Sequence, residues 1–416
     1  MSSPSVSAAS DVSCVAPRAA LRAASHAAPR AATRRAFIGK LAAGAAAAGV
    51  AAAAGSAFNL RPLISIADAG VPGRPSKNPP KDLSGKIKPV ATNHPDFAWV
   101  RGFNYQPGFS RGTGGYDDGT GWDIWRELPL DVIERQLARA RELFPAATAL
   151  RLWLPYNVWL AQPRRFEDDF AAFVAICAKN KFRVMPMLFN AWHGTPDFGG
   201  FRSQCFDALR PEQLQKTFDY ATALFERHAD NPAIFAWDLC NEPEYPRLHE
   251  PYCKWLERLY AHIKTRWPKS VLTVGAGGDG CGKDKSTRRL ERICDVLGPR
   301  LYFLPGHAPD AYQNWINEHV AYTNEVRKPL IVTETGWPRG GSVAGKARAQ
   351  DGLRIELGVL NNAKFGWLIH ALWESPVADL HRESDGPRGV GYMGCINKDG
   401  SLREGHEIIN QFLEAK

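Results

Sequence analysis

The 416-residue sequence predicts an α/β chain whose eight strand–helix units close into a (β/α)8 barrel with long βα loops at the catalytic mouth. Three observations predict it. From Phe97 onward, short apolar runs alternate with amphipathic stretches at helical spacing, the pattern of repeated βα units. That alternation can be followed through eight strands and eight helices. Two of the apolar runs also end on a carboxylate followed by a proline: Ile234-Phe235-Ala236-Trp237-Asp238-Leu239-Cys240-Asn241-Glu242-Pro243-Glu244 and Pro329-Leu330-Ile331-Val332-Thr333-Glu334-Thr335-Gly336-Trp337-Pro338. Proline cannot donate to a sheet ladder, so each strand should stop about there. That leaves Asn241, Glu242 and Glu334 at C-terminal strand edges, where a barrel keeps its chemistry.

In chain order, residues 1–69 read as an export signal. Thr33-Arg34-Arg35-Ala36-Phe37-Ile38-Gly39-Lys40 is a twin-arginine pattern, followed by a weakly hydrophobic Ala/Gly segment over 41–57. A membrane span needs about 20 strongly apolar residues, and this one is mostly alanine. It reads as a twin-arginine signal rather than a permanent anchor. Small-x-small cleavage sites stand at Gly55-Ser56-Ala57 and at Ala67-Asp68-Ala69, the second preferred; an uncleaved anchor is the alternative. The route exports folded proteins, so the expected location is periplasmic or secreted.

Residues 70–96, rich in Pro, Lys, Ser and Gly, read as a linker or an arm lying on the domain. The net charge of +9 sits entirely in this leader: residues 1–92 hold twelve Arg and Lys against three Asp. The remainder is neutral, so the charge gives no reason to expect a nucleic-acid partner, and membrane contact is expected only through the signal.

Residues 97–416 form the predicted catalytic domain. Strands are expected at 99–105, 149–155, 182–189, 234–242, 271–276, 301–304, 329–334 and 366–374. The helices between and after them fall at 130–144, 166–179, from 211, 251–265, 285–294, 311–326, 347–361 and 406–414. Pro211 opens its helix at the first position, where the missing N–H costs nothing. Long connections at 106–127, 190–209 and 375–405 should shape a cleft. The first carries Tyr116, Asp117, Asp118, Trp122 and Trp125, and its aspartate pair reads as a solvated loop rather than a calcium site.

Two carboxylates at two strand ends are what a retaining glycosidase needs, a general acid/base and a nucleophile about 5 Å apart across the sugar bond. Either motif alone could be a strand running into a turn; the pair, in this order on this chain, argues for the chemistry. Thirteen Trp suggest sugar-stacking platforms beside those packed in the core. The histidines lack metal-ligand spacing and no glycine-rich phosphate loop follows a strand, so neither metal nor cofactor is expected. Of eight cysteines, Cys14 leaves with the signal. Cys240 reads as a buried thiol, and Cys205, Cys253, Cys281 and Cys294 could pair.

Trp237-Asp238-Leu239-Cys240-Asn241-Glu242-Pro243-Glu244 and Thr333-Glu334-Thr335-Gly336-Trp337-Pro338 resemble the fourth- and seventh-strand signatures of clan A glycoside hydrolases, closest to family 5. The resemblance implies Glu242 as acid/base and Glu334 as nucleophile. It also implies Asn241 on the substrate 2-hydroxyl, Arg151 orienting the nucleophile, and His307 as the histidine near it. Trp373 would be the sugar platform, and Asn190, Trp192 and His193 would line the donor side. Trp153, with Tyr156, Trp159 and Trp337, is a candidate for further subsites. The sequence departs from the family at one point. A tyrosine is expected two residues after the histidine, bonded to the nucleophile, yet Pro309 stands there and Tyr302 and Tyr312 are out of step. Glu244 and Glu374 receive no chemical role.

The expectation is a monomeric retaining glycosidase acting on a β-linked polysaccharide or oligosaccharide of mannan or glucan type. The rivals are a transglycosylase using the same pair and a carbohydrate-binding barrel without activity. The two environments should push the carboxyl pKa values apart, Glu242 up and Glu334 down.

Overall fold

The computed structural model describes residues 88–107, 123–191, 211–244, 248–303, 307–337, 343–374 and 394–414. Eight strands form a single sheet: β1 (Arg101–Tyr105), β2 (Ala149–Trp153), β3 (Arg183–Met187), β4 (Trp237–Asn241), β5 (Leu272–Ala276), β6 (Gly298–Pro299), β7 (Ile331–Thr335) and β8 (Gly366–Ile369). Their order is β6-β5-β4-β3-β2-β1-β8-β7, all neighbours parallel. The two ends of that order meet through parallel bridges Leu297↔Leu330 and Arg300↔Glu334. Leu301 N–H donates to Glu334 O at 3.0 Å across the same seam. Closure leaves no free edge, as a barrel requires.

Helices α1 (Leu130–Leu143), α2 (Tyr156–Ala161), α3 (Pro163–Lys179), α4 (Pro211–His228), α5 (Glu250–Arg266), α6 (Ser286–Leu290), α7 (Pro309–Val326), α8 (Val343–Asn362) and α9 (Asn410–Leu413) belong to the outer layer. Each buries one stripe. In α1 the buried positions are Ile133, Gln136, Leu137 and Ala140, the i, i+3, i+4, i+7 spacing of a helix lying on a sheet. Strand alternation sorts the rest of the core. Leu150 and Leu152 join the large strand–helix cluster, while Ala149 faces the barrel interior with Val100, Met185, Phe235, Ala236, Val296, Ile331 and Leu368. Arg151 and Trp153 share the inward parity of Ala149.

The register slips at two places, between Asp238 and Asn241 on β4 and between Val332 and Thr335 on β7. Both irregularities fall where the two glutamates leave the ladder. Such bulges re-aim side chains at the rims of barrels. Glu242 also holds a left-handed backbone, φ +49°, a conformation costly for a residue with a Cβ and concentrated at functional sites.

The predicted sixth strand is corrected. It ends at Pro299, before the expected 301–304 begins, because Gly298-Pro299 carries no apolar run to read. Gly298 is required there: a Cβ would come within 2.4 Å of Thr273 Oγ1 and 2.7 Å of Val274 O. Strand eight likewise ends at Ile369 rather than Glu374. The final helix resolves into a 3-10 turn (Glu407–Ile409) and α9. Residues 88–93 form an arm on the domain: Thr92 N–H donates to Ala363 O at 3.0 Å and Asn93 N–H to Asn324 Oδ1 at 2.9 Å. The predicted signal and residues 70–87 lie outside the described residues.

Candidate active site

Arg151 is the hub at the mouth of the barrel. Its side chain has no exposed surface, and its donors reach acceptors on β1, β4 and β7. Nε and Nη2 hold Asp238 Oδ2 at 2.9 and 2.6 Å. Nη1 donates to Asn104 Oδ1 and to Glu334 Oε1, both at 2.8 Å, and Nη2 also donates to Asn241 Oδ1 at 2.8 Å. A guanidinium fork suits this, since one planar cation can serve several acceptors in fixed directions. Asn104 is fixed in turn, its Nδ2 donating to Thr333 O at 2.8 Å. Gly275 makes room: a Cβ there would stand 2.6 Å from Arg151 Nη2 and 2.7 Å from Asp238 Oδ2.

Glu334 accepts on both oxygens, from Arg151 on Oε1 and from the Tyr302 hydroxyl on Oε2 at 3.0 Å. Burial alone would raise its pKa, but the charges of His370, Arg151 and Arg300 outweigh burial and hold it below the ordinary carboxylate value. Glu242 goes the other way. Burial pushes it up to about 8, with Glu334 and Glu244 adding to the rise, against a downward pull from Arg300 and Arg151. Arg300 lies directly on it, Nη1 to Glu242 Oε1 at 2.6 Å, and its Nη2 holds Glu244 Oε1 at 2.6 Å.

Among the sequence-predicted residues, Glu242, Glu334, Arg151 and Asn241 come together here. Trp153 does too: its Nε1 donates to Asn104 Oδ1 at 3.2 Å, and its ring lies 5.7 Å from that of His370. Asn190 contributes through Asn241, whose Nδ2 donates to Asn190 Oδ1 at 3.1 Å. Fully buried, it orients the neighbouring amide rather than lining a cleft. Trp192 and His193 lie outside the described residues, as do Tyr116, Asp117, Asp118 and Trp122. Trp125 is core, stacked on Phe166 at 5.1 Å.

Two placements are corrected. Trp373 follows the end of β8 by four residues and turns to the outer layer, buried against α1 with its indole N–H on Gln136 O at 3.3 Å. The residue that leaves β8 at the mouth is His370, half-buried and joined to Ala371 by a cis peptide. His307 follows the β6 connection and packs near Phe303, ring centroids 6.3 Å apart. The His-x-Tyr spacing is met instead by Arg300-Leu301-Tyr302, with arginine in the histidine's place. Pro309 stands at the start of α7, which is why no tyrosine follows His307 in step. Tyr302 thus supplies the bond to Glu334 that seemed missing.

Sequence reasoning also missed Asn104, Asp238, Arg300, Glu244, Tyr302 and His370. The readable signal was the strand end: with β6 closed at the Gly-Pro pair, Arg300 and Tyr302 fall at the catalytic edge. Among the described residues, the six cysteines form no disulfide and all are buried, Cys253, Cys281 and Cys294 among them. Cys205 lies outside. No group of three or more His, Cys, Asp or Glu among the described residues could hold a metal ion.

Chemically, the mouth holds one carboxyl that keeps its proton near neutrality beside one that does not. This is the division between a general acid and a nucleophile. With Glu242 protonated, Arg151 faces Asp238 and Glu334 while Arg300 faces Glu244.

A closed (β/α)8 barrel with one carboxyl at the end of β4 and another at the end of β7 is the architecture that the resemblance to clan A glycoside hydrolases implies. In sequence the chain is similar to the mannan endo-1,4-β-mannosidase A of Podospora anserina, 24% identical over 181 residues that cover 38% of this chain and 48% of the relative. In structure it is similar to a GH5_18 protein from Streptomyces cattleya solved in complex with GlcNAc, with TM-score 0.58, 15% identity, and coverage of 75% of this chain and 80% of that one. It also matches an exo-β-1,4-mannosidase, Op5Man5, from Opitutaceae bacterium strain TAV5, with TM-score 0.55, 17% identity, and coverage of 76% and 59%. The chain spans about half the length, or less, of the curated relatives it matches. No family model matches it.

Proposed function

We propose that the protein is a retaining glycoside hydrolase acting on β-1,4-mannan or its oligosaccharides. The observation that carries this reading is the split between Glu242 and Glu334: two carboxyls at the ends of β4 and β7, each on its own arginine, one raised and one lowered. Mannan, rather than glucan, is favoured by the β-mannosidases among the sequence relatives.

In the first half of the reaction Glu242 gives its proton to the glycosidic oxygen as the C1–O bond breaks. Glu334 attacks C1 and forms the glycosyl ester. In the second half water attacks C1, Glu242 takes the water's proton, and the Glu334–C1 bond breaks. Asn241, locked by Arg151 and Asn190, presents its amide beside the acid/base, where a sugar 2-hydroxyl would lie. The twin-arginine signal supports a periplasmic or secreted site of action.

The test is hydrolysis of β-mannan, β-glucan and their oligosaccharides by the full chain, with product stereochemistry followed by NMR. Cleavage of mannan with retained configuration is expected. Glu334→Ala should abolish it, and Glu242→Ala should lower it roughly 10²–10⁴-fold. Inversion of configuration, or full activity in Glu334→Ala, would overturn the reading. Formation of longer products from added acceptor would point to transglycosylation.

A further inference from the structure

The Arg300–Glu244 pair is not used by the mechanism above, and its geometry is unusual for a structural ion pair. A guanidinium that anchors a single carboxylate frequently takes it with two parallel bonds. Arg300 instead gives one nitrogen to each of two carboxylates, Nη1 to Glu242 and Nη2 to Glu244, both at 2.6 Å. Arg300 Nε and Glu244 Oε2 are buried without a partner among the described residues. Glu244 Oε1 is pinned from behind by Gly277 N–H at 3.1 Å. Gly278 leaves the guanidinium its space: a Cβ there would stand 3.1 Å from Nη2.

Resting on the proposed hydrolase reading, we infer that Arg300 and Glu244 are positioning residues for Glu242, dividing one guanidinium so that Glu242 can both hold and lose its proton in each turnover. Before the first proton transfer Glu242 is a neutral acid. Arg300 would then be an uncompensated buried cation, a costly state, were it not for Glu244. Once the proton has gone to the leaving oxygen, Glu242 is an anion and the same guanidinium, already in place, faces it. Glu244 alone would leave the new carboxylate without a cation; Arg300 alone would hold Glu242 as an anion from the outset.

Among the described residues, the other charged or titratable groups facing Glu242 leave this role open to Arg300. Glu334 from β7 opposes ionisation. Arg151 from β2 is already divided between Asp238 and Glu334, Tyr302 donates to Glu334, and His370 at the end of β8 acts on Glu334.

The pair predicts shifts of opposite sign. In Glu244→Gln, Arg300 turns wholly to Glu242 and a repelling charge is gone, so the basic limb of kcat/KM on mannooligosaccharide should move down by about one pH unit or more. In Arg300→Met the limb should move up. With an aryl β-mannoside whose leaving group needs no proton, the second half should become limiting and a burst should appear. Arg300→Lys keeps the charge and should fall between Arg300→Met and wild type. Limbs that stay in place, or move the same way in both variants, would overturn the inference. If Arg300→Met does not fold, Glu244→Gln decides alone. If the wild type cleaves no β-linked glycoside, the functional reading fails by itself. The Glu242 carboxyl titration, followed by ¹³C NMR and assigned with Glu242→Gln, still decides the inference: a midpoint unchanged by Glu244→Gln would sink it.

Discussion

Tyr302 reaches Glu334 from the neighbouring strand end, its hydroxyl on Oε2 at 3.0 Å while Arg151 holds Oε1 at 2.8 Å. Glu334 is therefore fixed at both oxygens, by β2 on one side and by the segment after β6 on the other. Tyr302→Phe removes one charge-assisted bond, worth about 1.5–3 kcal/mol. The expected result is a kcat loss of roughly 10–100-fold with KM changed far less, read from steady-state kinetics on mannooligosaccharide. A loss confined to KM would assign Tyr302 to substrate binding instead.

Arg151→Met strips the countercharge from two buried carboxylates, Asp238 and Glu334. Breaking a buried pair from one side destabilises by about 3–5 kcal/mol, which urea unfolding should register. Arg151→Lys should recover little, because a single ammonium cannot meet Asn104, Asp238, Asn241 and Glu334 together.

The pH profile should fall on the alkaline side near 8. In the proposed mechanism Glu242 must carry a proton to act as the acid, and that proton is present below a pKa of about 8 and lost above it. Glu334 must be ionised, and its lowered pKa keeps it so down to pH values below the ordinary carboxylate range. The measurement is kcat/KM against pH, which reports the free enzyme. A basic limb near 5 would contradict the buried, proton-holding Glu242.

Glu356 on α8 makes a separate pH prediction, for stability. Its Oε1 accepts from Thr335 Oγ1 at 2.5 Å, Phe303 N–H at 2.9 Å and Gly336 N–H at 3.2 Å. It thereby ties the residues next to Glu334 and Tyr302 to one helix. Burial pushes this carboxyl up to about 7, against the downward pull of those three bonds. Unfolded, a glutamate ionises near 4.5. Between the two values the native state binds a proton that the unfolded state has lost, so stability falls as pH rises through that window. The full loss, on the order of 3 kcal/mol, is present above about 7. Glu356→Gln keeps the acceptor and cannot ionise, so its Tm should fall less than the wild type's between pH 5 and pH 8. Parallel curves would show that Glu356 does not titrate in that range.

The sequence made β4 and β7 legible because each is a long apolar run that stops at a carboxylate and a proline. Arg151 was legible only through the family resemblance, from its place near the end of the second strand. Strand six could not be read, since a strand packed so closely that it needs Gly298 offers no hydrophobic signal. Misplacing it carried the search for the histidine and tyrosine past Arg300 and Tyr302 to His307 and Pro309. Strand eight failed for the opposite reason. Its apolar run continues through Ala371-Leu372-Trp373 after the ladder has ended, so Trp373 looked like the mouth and His370 like the interior. Asp238 carried no sequence signal because its partner, Arg151, lies 87 residues earlier in the chain.

The buried cysteines have a practical meaning. Burial raises the pKa of five of the six described thiols, Cys281 to about 11 and Cys294 to about 12, so at neutral pH they remain protonated and poorly nucleophilic. The barrel around them is closed by packing and by its ladder, with no covalent staple among the described residues. Among the described residues a reductant has no bridge to cut, and an oxidant meets five thiols that are both protonated and buried.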